Sequence, residues 1–148
     1  MRSHRAETFT RVIDAVFACN GGFLAAGDAL TGPAGLTAVQ WQVLGFLEDG
    51  PATAAEVARR RGLRRQSVQE TVNRLLRNGM LDRLPNPADA RAPVLSLTRR
   101  AKEALRALGE AQAEWADEVA AEVAPEDLET TLRTLRRLRE VLAQQRLP

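Results

Sequence analysis

Basic side chains are concentrated between Thr53 and Lys102. Clustered arginine and lysine side chains can bind phosphate groups. This stretch holds twelve arginines or lysines against four acidic residues, a net charge of +8. The rest of the chain therefore holds nine basic and fifteen acidic side chains, a net charge of −6. A basic face beside acidic flanks is typical of a protein that lies on nucleic acid. A general preference for arginine does not explain why acidic residues are scarce in the same stretch.

Other kinds of site find little support in the sequence. The single cysteine, Cys19, excludes an intramolecular disulfide, and with the single histidine, His4, it cannot form a zinc motif. No nucleophile is paired with a base, and no glycine-rich loop could hold a phosphate. We therefore predict a protein that is not an enzyme and that has no metal and no cofactor.

Length and composition indicate one globular domain. The chain has 148 residues, of which 45% are hydrophobic and 27% charged. Its apolar residues are interrupted too often for a membrane span, and no signal-peptide pattern follows the polar N-terminus. We expect a cytoplasmic protein without a membrane partner.

Apolar residues at helical spacing between Ala6 and Leu24 predict a first helix, which glycines from Gly27 to Gly35 should break. Thr37 and Gln40 have the spacing of a capping box, which predicts a second helix to about Glu48. Thr53 and Glu56 repeat that spacing. They predict a short third helix that runs to about Arg61 and stops at Gly62.

The fourth helix should run from about Arg65 to Asn78, with an apolar face for the core and a polar outer face. Two short apolar runs follow, Met80–Leu84 and Pro93–Leu97, joined by a turn-rich stretch that predicts a hairpin. Thr98 is placed to cap a fifth helix, and Pro125 suits the first turn of a sixth.

This order of elements predicts a winged helix-turn-helix. The fold class is mainly α with a small β-hairpin wing, and helices at both ends serve for dimerisation. We place the whole chain, 1–148, in one domain. The winged module covers about 36–100, and the dimerisation helices about 5–27 and about 100–146.

A set of short motifs lies within residues 35–105. The most specific is Asn86–Ala92, with Asp89 and Arg91 two residues apart, followed by Leu97–Thr98. The others are Gly35–Leu44, Glu56–Ala58, Gly62–Leu63, Ser67–Val68, Asn73–Leu75 and Asn78–Arg83. Together they resemble the motifs of the MarR family of bacterial transcriptional regulators. The flanking helices match in length and pattern alone.

The resemblance and the charge together predict contacts with double-stranded DNA. Arg91 in the wing is expected to enter a minor groove, and the resemblance implies that Asp89 holds its guanidinium. Arg64 stands where most relatives would have Ser or Thr, so the residue that caps the fourth helix is in doubt. The full set of predicted DNA-binding residues is Arg64, Arg65, Gln66, Ser67, Gln69, Asn73, Arg74, Arg77, Asp89 and Arg91.

The terminal helices carry more apolar surface than the winged module can cover, which predicts a homodimer on a pseudo-palindromic site. The resemblance implies a small-molecule effector that binds where dimer helices meet the winged module. Candidate ligand-binding residues are Phe17, Cys19, Asn20, Phe23 and Trp41. Cys19 is expected to be a buried structural residue and Trp41 a core residue.

The leading hypothesis is a dimeric, sequence-specific DNA-binding regulator, a repressor controlled by a small molecule. One alternative is a redox-sensing regulator that uses Cys19; the chain lacks the tyrosines that assist the cysteine in peroxide-sensing relatives. A second alternative is a winged-helix module that binds proteins rather than DNA. The polar outer face of the fourth helix disfavours that alternative.

Overall fold

The computed structural model describes residues 3–145, which form six α-helices and one β-hairpin. The helices are α1 His4–Thr31, α2 Ala38–Phe46, α3 Ala54–Arg61, α4 Arg65–Arg77, α5 Arg99–Ala120 and α6 Pro125–Gln144. The strands are β1 Leu81–Leu84 and β2 Val94–Leu97. The predicted fold class, mainly α with a small hairpin, is confirmed.

Helix boundaries follow local capping chemistry. Thr37 and Gln40 form a complete capping box at α2, in which the backbone amide of Gln40 donates to Thr37 Oγ1 (3.2 Å). At α3 the amide of Glu56 donates to Thr53 Oγ1 (3.2 Å), and Gly62 ends the helix at φ +66°. Thr98 accepts from the amide of Ala101 (3.2 Å) at the start of α5. These caps lie where the sequence predicts them.

The first helix is longer than predicted, because Gly27 does not break it. α1 continues to Thr31, and Gly27 is buried inside it. A Cβ at Gly27 would lie 2.7 Å from the Cβ of Ala38, the first residue of α2. Asp28, the next residue, accepts a hydrogen bond from the amide of Ala38 (2.7 Å). The glycine therefore allows two helices to touch and does not end one of them.

Gly27→Ala is expected to destabilise the protein by about 1–3 kcal/mol, because the added methyl overlaps Ala38. The matched control is Gly22→Ala in the same helix, where a Cβ would meet no atom within 4 Å. That substitution should stabilise the helix by about 0.5–1 kcal/mol. Urea unfolding of the two variants measures the difference. Equal stabilities would show that the close approach to Ala38 has no energetic consequence.

The hydrophobic core lies within the winged module and the first turns of α5. Its largest fully buried side chains include Leu44, Leu75 and Leu95. The two strands pair antiparallel, with Leu81 opposite Leu97 and Leu84 opposite Val94. Ala52, just before α3, adds a bridge to Leu95. The hairpin is thus attached through Leu95 to the core that also supports α3 and α4.

Packing divides the chain into two compact units, one up to Gly109 and one from Glu110 onward, so that α5 contributes to both. In the second unit α6 has no buried residue, and Leu132 is 50% exposed. The predicted end of the dimerisation helices, at about residue 146, lies outside the described residues. The assignment of 1–148 to one domain stays a prediction.

Apolar side chains are also exposed along α1 in the first unit. Phe17 is 72% exposed and Val16 is 41% exposed. By length and composition alone, this helix is apolar enough to cross a membrane, contrary to the expectation from the sequence. A helix that packs against another protein surface passes the same test. Asp14 and Asn20 interrupt its apolar residues.

Candidate nucleic-acid interface

Helix α4 separates an apolar face from a polar one. Val68, Val72 and Leu75 are spaced by four and three residues, and all are buried in the core, as predicted. The opposite side carries polar and charged side chains. Exposed among them are Arg64, Arg65, Gln66, Ser67, Gln69, Arg74 and Arg77, and Asn73 is half-buried. Packing of one face against the core therefore fixes which side chains α4 presents to solvent.

The N-terminal end of α4 has no side-chain cap. Arg64 occupies the N-cap position, and it makes no capping hydrogen bond. Amide groups of the first turn thus keep unused donors, and the arginines there face the positive end of the helix dipole. An anion near this end would satisfy the amides and offset the repulsion. The departure at Arg64 therefore leaves the cap position without a side-chain acceptor.

Asparagine and aspartate side chains shape the wing loop between the strands. Asn86 accepts a hydrogen bond from the amide of Ala88 (3.1 Å) and donates to the carbonyl of Ala92 (2.9 Å). Asp89 accepts from the backbone amide of Arg91 (2.9 Å). The expected ion pair between Asp89 and the Arg91 guanidinium is not among the ion pairs of residues 3–145. Asp89 therefore shapes the turn that carries Arg91.

A cleft of about 350 Å³ lies between the wing, α4 and the start of α3. Three arginines from three different elements line it: Arg65 from α4, Arg83 from β1 and Arg91 from the wing loop. Gln69 lines it too, and no acidic residue does. Several guanidinium groups around one concave surface favour a polyanion such as a phosphate backbone.

Arg83 is the member of this cleft that was not predicted from the sequence. Side chains alternate along a strand, so Arg83 leaves β1 on the same face as the buried Leu81. It also lines a second, open cleft of about 460 Å³ with Asn73, Leu76 and Arg77. The two-residue spacing from Leu81 was the one sequence signal that Arg83 lies on the inner face of the strand. The sequence does not show which helix packs near that face, because this depends on the tertiary fold.

The predicted DNA-binding residues of α4 fall into groups. Arg65 and Gln69 line the first cleft, and Asn73 and Arg77 line the second. Gln69 Nε2 donates to Asn73 Oδ1 (3.0 Å), so a hydrogen bond links the two groups. Gln66, Ser67 and Arg74 are exposed on α4 but line neither cleft.

The five predicted ligand-binding residues lie on α1 and α2. Phe17, Cys19, Asn20 and Phe23 are exposed on α1, and Trp41 is half-buried against the core. The expectation that Cys19 is buried is wrong for the single chain, because no element of the same unit covers that part of α1. Neither arginine-lined cleft contains any of the five.

No group of three or more His, Cys, Asp or Glu side chains that could hold a metal ion lies within the described part of the chain. The absence of metal and cofactor sites stays a prediction.

Comparison with known proteins assigns this architecture to a family. A model of the MarR family matches residues 34–92. The uncharacterized protein Rv2011c of Mycobacterium tuberculosis is 30% identical over 133 residues, which cover 90% of this chain and 93% of that protein. Its sequence relationship extends beyond the winged module into both flanking regions.

Solved structures share the fold over nearly the whole chain. A mutant of E. coli MarR complexed with operator DNA has a TM-score of 0.78 at 18% identity, covering 92% of this chain and 99% of that one. The regulator PcaV of Streptomyces coelicolor, in complex with its natural ligand, has a TM-score of 0.65 at 25% identity, covering 93% of both chains. The family comprises DNA-binding transcription regulators and not enzymes, as we predicted. The chain belongs to the MarR family and has its winged helix-turn-helix fold.

Proposed function

We propose that the chain is a cytoplasmic transcriptional repressor that binds a specific, pseudo-palindromic site in double-stranded DNA as a homodimer. A small-molecule effector modulates that binding. The observation that carries the proposal is the cleft in which Arg65, Arg83 and Arg91 converge from a helix, a strand and a loop. Such convergence requires the tertiary fold and does not follow from a high arginine content.

In this proposal α4 lies in a major groove and the cleft beside it receives the DNA backbone. Gln69 and Asn73 can read base edges, because amide side chains both donate and accept hydrogen bonds. Arg65 and Arg83 bind phosphate oxygens, and the side chain of Arg91 extends from the cleft into the minor groove. The uncapped amides at the start of α4 supply further donors to phosphate.

Exposed apolar residues on α1 and on α6 support the homodimer. On α1 the residues Phe9, Ile13 and Val16 recur at helical spacing on one face, and all three are exposed. On α6 the same is true of Leu128, Leu132 and Leu135. Apolar faces of this kind mark contact surfaces. A two-fold dimer would cover them and set two copies of α4 about 34 Å apart, one turn of DNA.

Control by a small-molecule effector is supported by a relative of the same fold. PcaV was crystallised in complex with its natural ligand, so that protein binds a ligand within this fold. In this chain the candidate residues on α1 are exposed and would form a pocket once a second copy covers them. A thermal-shift screen of small molecules tests this, because a ligand of the native dimer raises its melting temperature.

Duplex binding is tested by selecting sequences from a random double-stranded library with the purified protein. We expect a pseudo-palindromic consensus. Affinity for it should fall by about a thousandfold between about 50 mM and about 200 mM salt, as phosphate neutralisation requires. Fluorescence anisotropy measures that slope. A protein that enriches no sequence and shows no salt-dependent affinity is instead a protein-interaction module.

A further inference from the structure

The C-terminal end of α4 is closed by a Schellman motif. Gly79 adopts φ +70°, its amide donates to the carbonyl of Leu76 (3.2 Å), and the amide of Met80 donates to Leu75 (2.9 Å). Met80 and Leu75 are both buried in the core. These bonds do not use the carbonyl groups of Asn78 and Gly79, which need donors from elsewhere.

Residues at the start of α5 supply those donors. Arg100 Nη1 donates to the carbonyl oxygen of Asn78 (2.8 Å). Thr98 Oγ1 donates to the carbonyl oxygen of Gly79 (2.8 Å), and the Thr98 amide donates to Met80 (3.2 Å). Three hydrogen bonds thus join the segment that ends α4 to the segment that begins α5, although the whole hairpin lies between them in the sequence.

Arg100 is unfavourable for its own helix and favourable for α4. It lies in the first turn of α5, which has no acidic residue, so its charge faces the positive end of that helix dipole. Its guanidinium donates to the carbonyl of Asn78, the C-cap residue of α4, where the helix dipole is negative. A charged donor makes this bond stronger than a neutral one would. Arg100 is therefore placed to hold α4 and not to stabilise α5.

We propose that Arg100 is a positioning residue for sequence recognition: it fixes the direction of α4 relative to the start of α5. This inference rests on the proposed DNA-binding function, in which α4 reads the bases. Misdirection of α4 displaces Gln69 and Asn73 from the base edges more than it weakens contacts to phosphate. Loss of Arg100 should therefore reduce discrimination between DNA sequences.

The first test measures hydrogen exchange in the free protein. Arg100→Met removes the guanidinium and keeps a straight side chain that is compatible with a helix. Its matched control is Arg99→Met, which removes the same charge one residue away. Arg99 does not hold the end of α4 but forms an ion pair with Glu103 in α5 (3.6 Å). We expect faster exchange at residues 74–80 in Arg100→Met alone. Equal exchange in both variants would overturn the proposal.

The second test measures binding to a duplex selected by the wild-type protein and to an unrelated duplex of equal length. Arg100→Met should lower affinity for the selected duplex by about tenfold, because a less firmly held α4 must be ordered when it binds. Its affinity for the unrelated duplex, and its salt dependence, should match those of Arg99→Met.

Three results contradict the proposal. Equal losses on both duplexes, with a shallower salt dependence, would mean that Arg100 binds phosphate itself. Faster exchange without loss of discrimination would mean that the contact serves only stability. Failure of the wild-type chain to select any duplex would overturn the proposed function, and the role of Arg100 in recognition with it, while hydrogen exchange would still report whether Arg100 holds α4.

Discussion

Replacing Arg65 and Arg91 together by methionine is expected to lower affinity for a selected duplex by about a thousandfold or more. The two arginines line the same cleft from different elements. Each charged contact to DNA contributes about 1–3 kcal/mol, and a dimer would lose two from each protomer. Because both side chains lie on the surface, folding should be unaffected, which thermal unfolding can check. Fluorescence anisotropy measures the loss.

The matched control for this variant removes the same charge outside the cleft. Arg99 and Lys102 belong to the same basic segment, are exposed in the first turn of α5, and do not line either arginine-lined cleft. Arg99→Met with Lys102→Met should lower DNA affinity far less, because it weakens only the positive electrostatic potential around the protein. Similar losses in the two double variants would show that net charge, and not the cleft, determines DNA binding.

Val16→Asp is expected to dissociate the proposed dimer and to abolish specific binding. Val16 lies at the middle of the apolar face of α1 and is 41% exposed in the single chain. In a dimer its replacement would bury a carboxylate in each protomer, at a cost of several kcal/mol per charge. Sedimentation velocity at micromolar concentration should show the mass of one chain in place of two.

Ala18→Asp controls for the added charge in the dimer experiment. Ala18 is exposed two residues further along α1, on the opposite side of the helix from Val16. That variant should remain a dimer and bind DNA. If wild-type protein sediments as a single chain or partitions into lipid vesicles, the apolar face of α1 serves another partner, and the dimer is wrong.

Local signals in the sequence predicted much of the fold. The caps at Thr37, Thr53 and Thr98 each depend on a donor three residues away, so spacing alone identifies them. The apolar face of α4 was equally predictable, because Val68, Val72 and Leu75 recur at helical spacing and are all buried. The structure has the elements in the predicted order.

Features that depend on contacts between distant residues were not predictable. Gly27 resembles a helix breaker until Ala38 is seen beside it. Arg83 looks like any exposed strand residue, and only the packing of β1 near α4 brings it to Arg65 and Arg91. The resemblance led us to expect that Asp89 holds the Arg91 guanidinium, and the sequence could not show that the carboxylate instead accepts from the backbone amide of Arg91.

Sedimentation of a fluorescent selected duplex with increasing amounts of protein tests the central claim most directly, because it reports both stoichiometry and affinity. At low salt, about 50 mM, we predict a complex of two chains on one duplex, which dissociates as salt approaches about 200 mM. The Arg65→Met, Arg91→Met variant should leave the duplex free at the same protein concentration. A duplex that stays free with the wild-type chain at low salt, or that carries a single chain at saturation, would contradict the account.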